Sequence, residues 1–190
     1  MLNFTSINLP EVKDLLLSKS VGVIPTDTVY GIVCCAQDKS AVERLYKIKH
    51  REHKPGTVIA ASLEQLEELG LKHRYLSAVK TYWPGPVSVI IPCTNLDYLD
   101  QGKRSLAVRI PDDPALGALL QHTGPLLTSS ANQPGMPPAE TIIEAKNYFG
   151  DAVDFYVDGG NLTGRKPSTV ITIIDDAVKV LRQGARYIPE

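Results

Sequence analysis

The stretch GVIPTDTVYG (22–31), together with KIKHREHK (47–54) beyond a helical segment, decides how this chain is read. Val21, Val23 and Ile24 make a buried strand, and Pro25 stops it because proline fixes φ and offers no amide to a ladder. Thr26, Asp27, Thr28 and Tyr30 then supply hydrogen-bonding side chains before Gly31 closes the loop. From Asp38 the pattern turns helical, with Asp38 or Ser40 as cap and Val42, Leu45 and Ile48 on one face. The helix runs out into Lys47, Lys49, His50, Arg51, His53 and Lys54. Hydroxyls delivered by a loop and cations delivered by a helix end suit an anion and small-molecule site. A polar turn beside a solvated charge run fits the same residues.

Outward from this stretch, helices are expected over 10–19, 62–69, 74–82, about 113–122 and near 138–149. Pro10 opens the first; Ser62 caps the second, whose stripe is Leu63, Leu66 and Leu69 before Gly70. Strands are expected over 57–61, in the latter part of WPGPVSVIIP (83–92), and over 105–110, 125–129 and 153–157. In SLAVRI (105–110), Leu106, Val108 and Ile110 take one face and Ser105, Ala107 and Arg109 the other, which leaves room for a ligand above the sheet. A half-exposed strand with a solvated arginine is the plainer account. In TSSANQPG (128–135), Thr128, Ser130 and Asn132 face one way in extended chain, although Asx and Ser turns use the same residues. The loop DGGNLTGRKPS (158–168) has the G-x4-G spacing of a P-loop, but Arg165 stands where lysine belongs and a strand follows instead of a helix, so that reading is rejected. The chain closes with a hairpin, STVITII–DDA–VKVLRQG, with Asp175-Asp176 at its turn and Ser168 and Arg182 at its far ends. The expected fold is α/β: a single domain over residues 1–190, a twisted mixed β-sheet with helices packed on it, and a C-terminal β-hairpin.

Composition narrows the function. A chain of 190 residues with net charge −1 shows no global attraction to nucleic acid or membranes, and no apolar run suits a signal or a membrane span. The cysteines Cys34, Cys35 and Cys93 fit neither a disulfide framework nor a zinc site, and the expected location is cytoplasmic. There is no G-x-S-x-G and no histidine ligand spacing, and His122 reads as a helix-surface residue, so no residue is assigned to a metal. What remains is rich in hydroxyls and cations: Thr28, Lys49, Arg51, Ser105, Arg109, Ser130, Asn132, Ser168 and Arg182. Such a set suits phosphoryl or nucleotidyl transfer, where positioning and charge neutralisation supply most of the catalysis.

The chain resembles the YrdC/TsaC family of threonylcarbamoyl-adenylate synthases through PTDTVYG (25–31), K-x-R (Lys49, Arg51), WPGP (83–86), SLAVRIP (105–111), SSAN (129–132), DGG…G…STV (158–170) and LRQG (181–184). The resemblance implies that ATP, L-threonine and bicarbonate give threonylcarbamoyl-AMP and pyrophosphate. Downstream threonylcarbamoyl-transferase proteins then pass the group to the tRNA adenosine next to the anticodon, with tRNA as an indirect partner and no membrane involved. By motif, Thr28, Arg109, Ser130 and Ser168 match threonine-binding positions; Arg51, Ser105, Asn132 and Arg182 match nucleotide-binding positions. The resemblance implies that Lys49 and Arg51 are the catalytic cations, with Mg2+ accompanying ATP. Two residues apart, these two converge only if the helix has ended by about Lys49, so K-x-R is expected as an extended, exposed exit. Relatives often carry proline after Arg51 and asparagine or lysine further on; here the run is Glu52-His53-Lys54-Pro55-Gly56, and Lys54 is left out of the site. Two other readings are an RNA-binding module using the basic run 47–54, and a carbamoyl-transfer module like that of hydrogenase maturation proteins. The cysteine-rich context of the latter is missing here.

Overall fold

A computed structural model describes residues 2–51, 53–175 and 177–189. The elements run β1 (Leu2–Phe4), α1 (Pro10–Leu17), β2 (Gly22–Ile24), β3 (Gly31–Cys35), α2 (Lys39–Ile48), β4 (Thr57–Ile59), α3 (Leu63–Glu68) and α4 (His73–Val79). There follow β5 (Val87–Pro92), α5 (Asp97–Asp100), β6 (Ser105–Arg109), α6 (Pro114–Thr123), β7 (Leu126–Ser130), α7 (Ile142–Phe149), β8 (Phe155–Val157), β9 (Thr169–Ile174) and β10 (Ala177–Arg182).

The ten strands among the described residues form one mixed sheet in the order β1-β8-β2-β3-β7-β4-β6-β5-β9-β10. Strand alternation divides the core between its two faces. Val23, Ile32, Cys34, Val58, Leu127, Val108, Val89 and Ile171 pack on one side with Val42 and Leu45 of α2 and Leu76 of α4. Ile24, Val33, Ile59, Leu126, Phe155 and Val157 pack on the other with Val12 and Leu16 of α1 and Leu116, Leu119 and Leu120 of α6. On this second face α1 and α6 pack with residues of β8, β2, β3, β7 and β4. Over β6, β5 and β9 the same face shows Ala107, Arg109, Ile90 and Val170, and a cavity takes the place of a helix.

The helix signals hold locally. Asp38 caps α2 by accepting from Ala41 N at 2.9 Å, Ser62 caps α3, and Asp113 caps α6 ahead of Pro114. Three elements escaped the sequence reading: β1, α5 and β3. β3 lies in the gap between the polar loop and α2, where GIVCC pairs antiparallel with both β2 and β7. The C-terminal hairpin forms as expected, with a register shift between Val180 and Arg182 that sets Arg182 opposite Val170. Asp175 stands at its turn, while Asp176, like Glu52 of the 52–56 departure, lies outside the described residues.

Candidate active site

The β2–β3 loop is shaped by its own hydroxyls. Thr26 Oγ1 donates to Val29 O at 2.6 Å and accepts from Thr28 N at 3.2 Å, with Thr28 Oγ1 3.1 Å away. This turns Thr26 and Thr28 into a cavity of about 260 Å³. Gly31 forms part of its floor because a Cβ there would lie 2.6 Å from Thr128 Oγ1. Tyr30 points away, its hydroxyl donating to Gly160 O and accepting from Gly159 N, both at 2.8 Å, which ties the 158–164 loop to the same motif.

Six of the nine sequence-derived site residues line this cavity: Thr28, Arg51, Arg109, Ser130, Ser168 and Arg182. Lys49 and Asn132 line an adjoining pocket of about 230 Å³ that shares Arg51, Ser129 and Ser130 with it. Ser105 lines neither; it sits on the Ala107–Arg109 face of β6 but two residues further along, with its hydroxyl 3.5 Å from Lys103 O. The hairpin brings its far ends together, since Arg182 Nη2 donates to Ser168 O at 2.7 Å and approaches Ser168 Oγ at 3.3 Å. Ser168 Oγ also lies 2.9 Å from the buried Ser88 Oγ, and Ser130 Oγ donates to Asn132 Oδ1 at 2.7 Å. These hydroxyls are oriented before any ligand arrives, each with bonding capacity to spare.

The expectation for K-x-R is corrected in two respects. α2 does end at Ile48, but the exit is a left-handed turn instead of extended chain. His50 takes φ 48°, His50 N donates to Lys47 O and Arg51 N to Tyr46 O, the paired bonds of a Schellman cap. Nor is Lys49 exposed: only 3% of it reaches solvent. Its ammonium donates to Ser130 O at 2.8 Å, to Asn132 Oδ1 at 3.0 Å and to Asn132 O, and lies 5.7 Å from the Phe149 ring centroid. The turn swings the lysine inward onto the end of β7, while Arg51 reaches Ser129 Oγ. Burial, reinforced by the Arg51 guanidinium, pushes Lys49 down to about 8.

Two groups in the site were quoted within its motifs but not assigned to it from the sequence. Ser129 is one. The other is Asp27, whose Oδ1 accepts from Arg109 Nη2 at 2.9 Å in an ion pair with both side chains 4% exposed. Arg109 itself was the available signal, because a guanidinium buried on a strand needs a carboxylate. Burial raises the Asp27 carboxyl while Arg109 opposes that shift. Asp27 Oδ2 and Arg109 Nε have no partner among the described residues, so the pair keeps unspent bonding capacity. Arg182 is lowered by desolvation and then by the like charges of Arg109 and Arg51, a convergence of guanidiniums that an anion would relieve. Metal ligands are a poorer fit. Among the described residues no three His, Cys, Asp or Glu side chains converge, and Asp27 is held by Arg109.

A family model described as "Telomere recombination", covering Sua5, YciO and YrdC proteins, matches residues 14–184. The chain belongs to the Sua5/YciO/YrdC family. It is 35% identical over 175 residues to a threonylcarbamoyl-AMP synthase of Marinobacter nauticus, covering 88% of this chain and 92% of that one. Among solved structures it resembles P. abyssi Sua5 complexed with L-threonine, with TM-score 0.83, 27% identity and 96% of this chain covered. The chain spans 57% of the length of that Sua5. It also resembles E. coli YciO, with TM-score 0.80 and 27% identity over 96% of this chain and 94% of that one.

Proposed function

We propose that this protein is a threonylcarbamoyl-AMP synthase, a nucleotidyl-transfer enzyme that consumes ATP, L-threonine and bicarbonate and releases pyrophosphate. The observation that carries the reading is one cavity that opens beside a second pocket. The first is lined by Thr28, Ser130, Ser168 and Arg109; the second is lined by Lys49, Arg51 and Asn132. The synthase name of its bacterial relative and the threonine complex of Sua5 support the same assignment.

Threonine seats in the first cavity, its carboxylate on Arg109 and its hydroxyl among Thr28, Ser130 and Ser168. At about 260 Å³ that cavity is smaller than most small-molecule sites, so the nucleotide extends past Arg51 and Arg182 into the adjoining pocket. The threonine amine, carried as its carbamate, attacks the α-phosphorus through a carbamate oxygen, and the bond to the β-phosphate breaks. Arg51 and Arg182 neutralise charge on the phosphates, while Lys49 holds Ser130 and Asn132 in place through its three bonds. Magnesium enters with ATP as part of the substrate; among the described residues no group of three His, Cys, Asp or Glu side chains converges to hold it. Downstream transferase proteins take the product to tRNA. The setting is the cytoplasm; no helix among the described residues is long and apolar enough to cross a membrane. The test is pyrophosphate release: it should require threonine and bicarbonate together, and release without either would reject the reading.

A further inference from the structure

The loop that supplies Thr28 to the cavity also supplies a carboxylate to the arginine that shares it. By register, Gly31 at the foot of the β2–β3 loop pairs with Ser130, while Arg109 lies beside Ile59, which pairs with Leu126 at the other end of β7. Those two positions on β7 are roughly 13 Å apart at the rise of an extended strand. The bond from Arg109 Nη2 to Asp27 Oδ1, 2.9 Å long, therefore carries the loop lengthwise over the face of the sheet. Thr26 stiffens the loop, since its Oγ1 is bonded to both Val29 O and Thr28 N. Thr28 and Arg109 line the cavity, whereas Asp27 stands outside that lining, joined to the first by a peptide bond and to the second by the ion pair. The backbone of Arg109 is fixed by Ala60 N, which donates to its carbonyl at 3.1 Å. That bond does not fix the long side chain, and Arg182 is close enough for the two guanidiniums to repel. Asp27 is what holds Arg109 against this.

We propose that Asp27 sets the amino-acid specificity of the cavity as a positioning residue, fixing Arg109, the carboxylate anchor, at a set span from Thr28, which bonds the hydroxyl. The inference rests on the synthase reading, which seats threonine between those two groups. A guanidinium keeps donors free after one bond to Asp27, so Arg109 can hold both carboxylates at once. In threonine the carboxylate and the hydroxyl are borne by adjacent carbons. Two anchors of fixed span therefore read both their separation and their handedness. Allo-threonine carries the same groups with the opposite configuration at Cβ, and once its carboxylate is held it presents a methyl where the hydroxyl belongs. Telling the two apart needs anchors that are rigid more than anchors that are strong. An Arg109 released from Asp27 has other carboxylates to turn to: burial raises the Asp27 carboxyl most, and Asp113 and Asp112 add to that rise, so both stand near the pair. A buried guanidinium needs a carboxylate for stability alone, but that need is met by any carboxylate in reach. Positioning is met only by one of this length.

Calorimetric titration of the full chain with L-threonine and with L-allo-threonine, without ATP, reads the span directly. Wild type should favour threonine. D27N should bind threonine about tenfold more weakly, the low end of the loss of one charge-assisted bond, and its preference over allo-threonine should shrink by a similar factor. Because an unpaired buried guanidinium can cost the fold itself, D27E is the deciding variant. It keeps the ion pair but is longer by one methylene, so it should fold, as circular dichroism would report, yet shift Arg109 and lose the same discrimination. In the pyrophosphate-release assay D27E should raise KM for threonine about tenfold, with kcat and KM for ATP within twofold of wild type. A D27E protein that binds both amino acids as wild type does would overturn the proposal, since a merely structural carboxylate is replaced by another. So would one that loses threonine and ATP alike, or one that does not fold, because the length would then serve the fold. Wild-type protein with no preference for threonine over allo-threonine would overturn the threonine site and this proposal together. A clear wild-type preference that survives in D27E would count against Asp27 alone.

Discussion

Lys49 shows how far a side chain's role depends on residues distant in sequence. Its acceptors belong to Ser130 and Asn132, more than eighty positions away. K49A should therefore lower stability as well as activity. It leaves buried oxygens without a donor, an effect of about 1–3 kcal/mol readable from urea unfolding. A K49A protein as stable as wild type would contradict the buried placement. The pH dependence follows from a pKa of about 8. The ammonium loses its proton as pH rises through that value, so kcat/KM should fall on the alkaline side of about pH 8. In K49R, whose guanidinium stays charged, that limb should vanish even though the residual rate is lower. Stability responds with the opposite sign: the unfolded lysine keeps its proton up to 10.5, so this group's contribution to stability grows between about 8 and 10.5.

The end of α2 and the end of the hairpin each put a backbone requirement next to the site. His50 occupies the left-handed position of the Schellman cap, where glycine is the usual residue and a side chain costs roughly 1–2 kcal/mol. H50G should raise the urea midpoint by an amount equivalent to about 1 kcal/mol. A lower midpoint would mean that the imidazole does more than cap. Gly184 has the opposite requirement: a Cβ there would lie 2.2 Å from Pro167 O, so G184A must push the tail off the Ser168 segment. Threonine affinity should fall together with melting temperature, and an unperturbed G184A would show that the two segments are not so closely joined. These contrasts explain what the sequence disclosed. Capped, striped helices such as α2 and α3 and the alternating strand β6 announce themselves through local chemistry. β3 did not, because GIVCC is uniformly apolar and is a strand only through its pairing with β2 and β7. Thr28, Arg109, Ser130, Ser168 and Arg182 were legible through motif resemblance, and the structure gathers them. The burial of Lys49 and the pairing of Asp27 with Arg109 were not legible, since each depends on a partner brought from another part of the chain.

The sheet as a whole explains why ligand binding should register in global stability. The cavity is walled by the β2–β3 loop, the turn after α2, β6, the end of β7 and the C-terminal hairpin, so its lining spans from β2 to β9 across the sheet. A molecule that bonds Thr28, Arg109, Ser130 and Ser168 at once therefore ties the flank under α1 and α6 to the flank ending in β10. Unfolding must release all of these contacts together, and stabilisation then follows mass action. At threonine a hundredfold above its dissociation constant the gain is about 2.7 kcal/mol. For a chain of 190 residues that corresponds to a rise in Tm of roughly 5–10 °C. Valine has the same shape but lacks the hydroxyl, so it would leave the polar lining unpaired. A site built to bond a hydroxyl rejects such an analogue by up to about four orders of magnitude. At the same concentration valine should give no measurable shift. Serine, which loses only a methyl group, should give a smaller shift than threonine but a real one. Differential scanning of the three amino acids against the free protein makes the comparison without ATP or bicarbonate, so it reads the pocket apart from the chemistry. Equal shifts with threonine and valine would mean that the hydroxyls of Thr28, Ser130 and Ser168 do not face the ligand, and the cavity would lose its assignment.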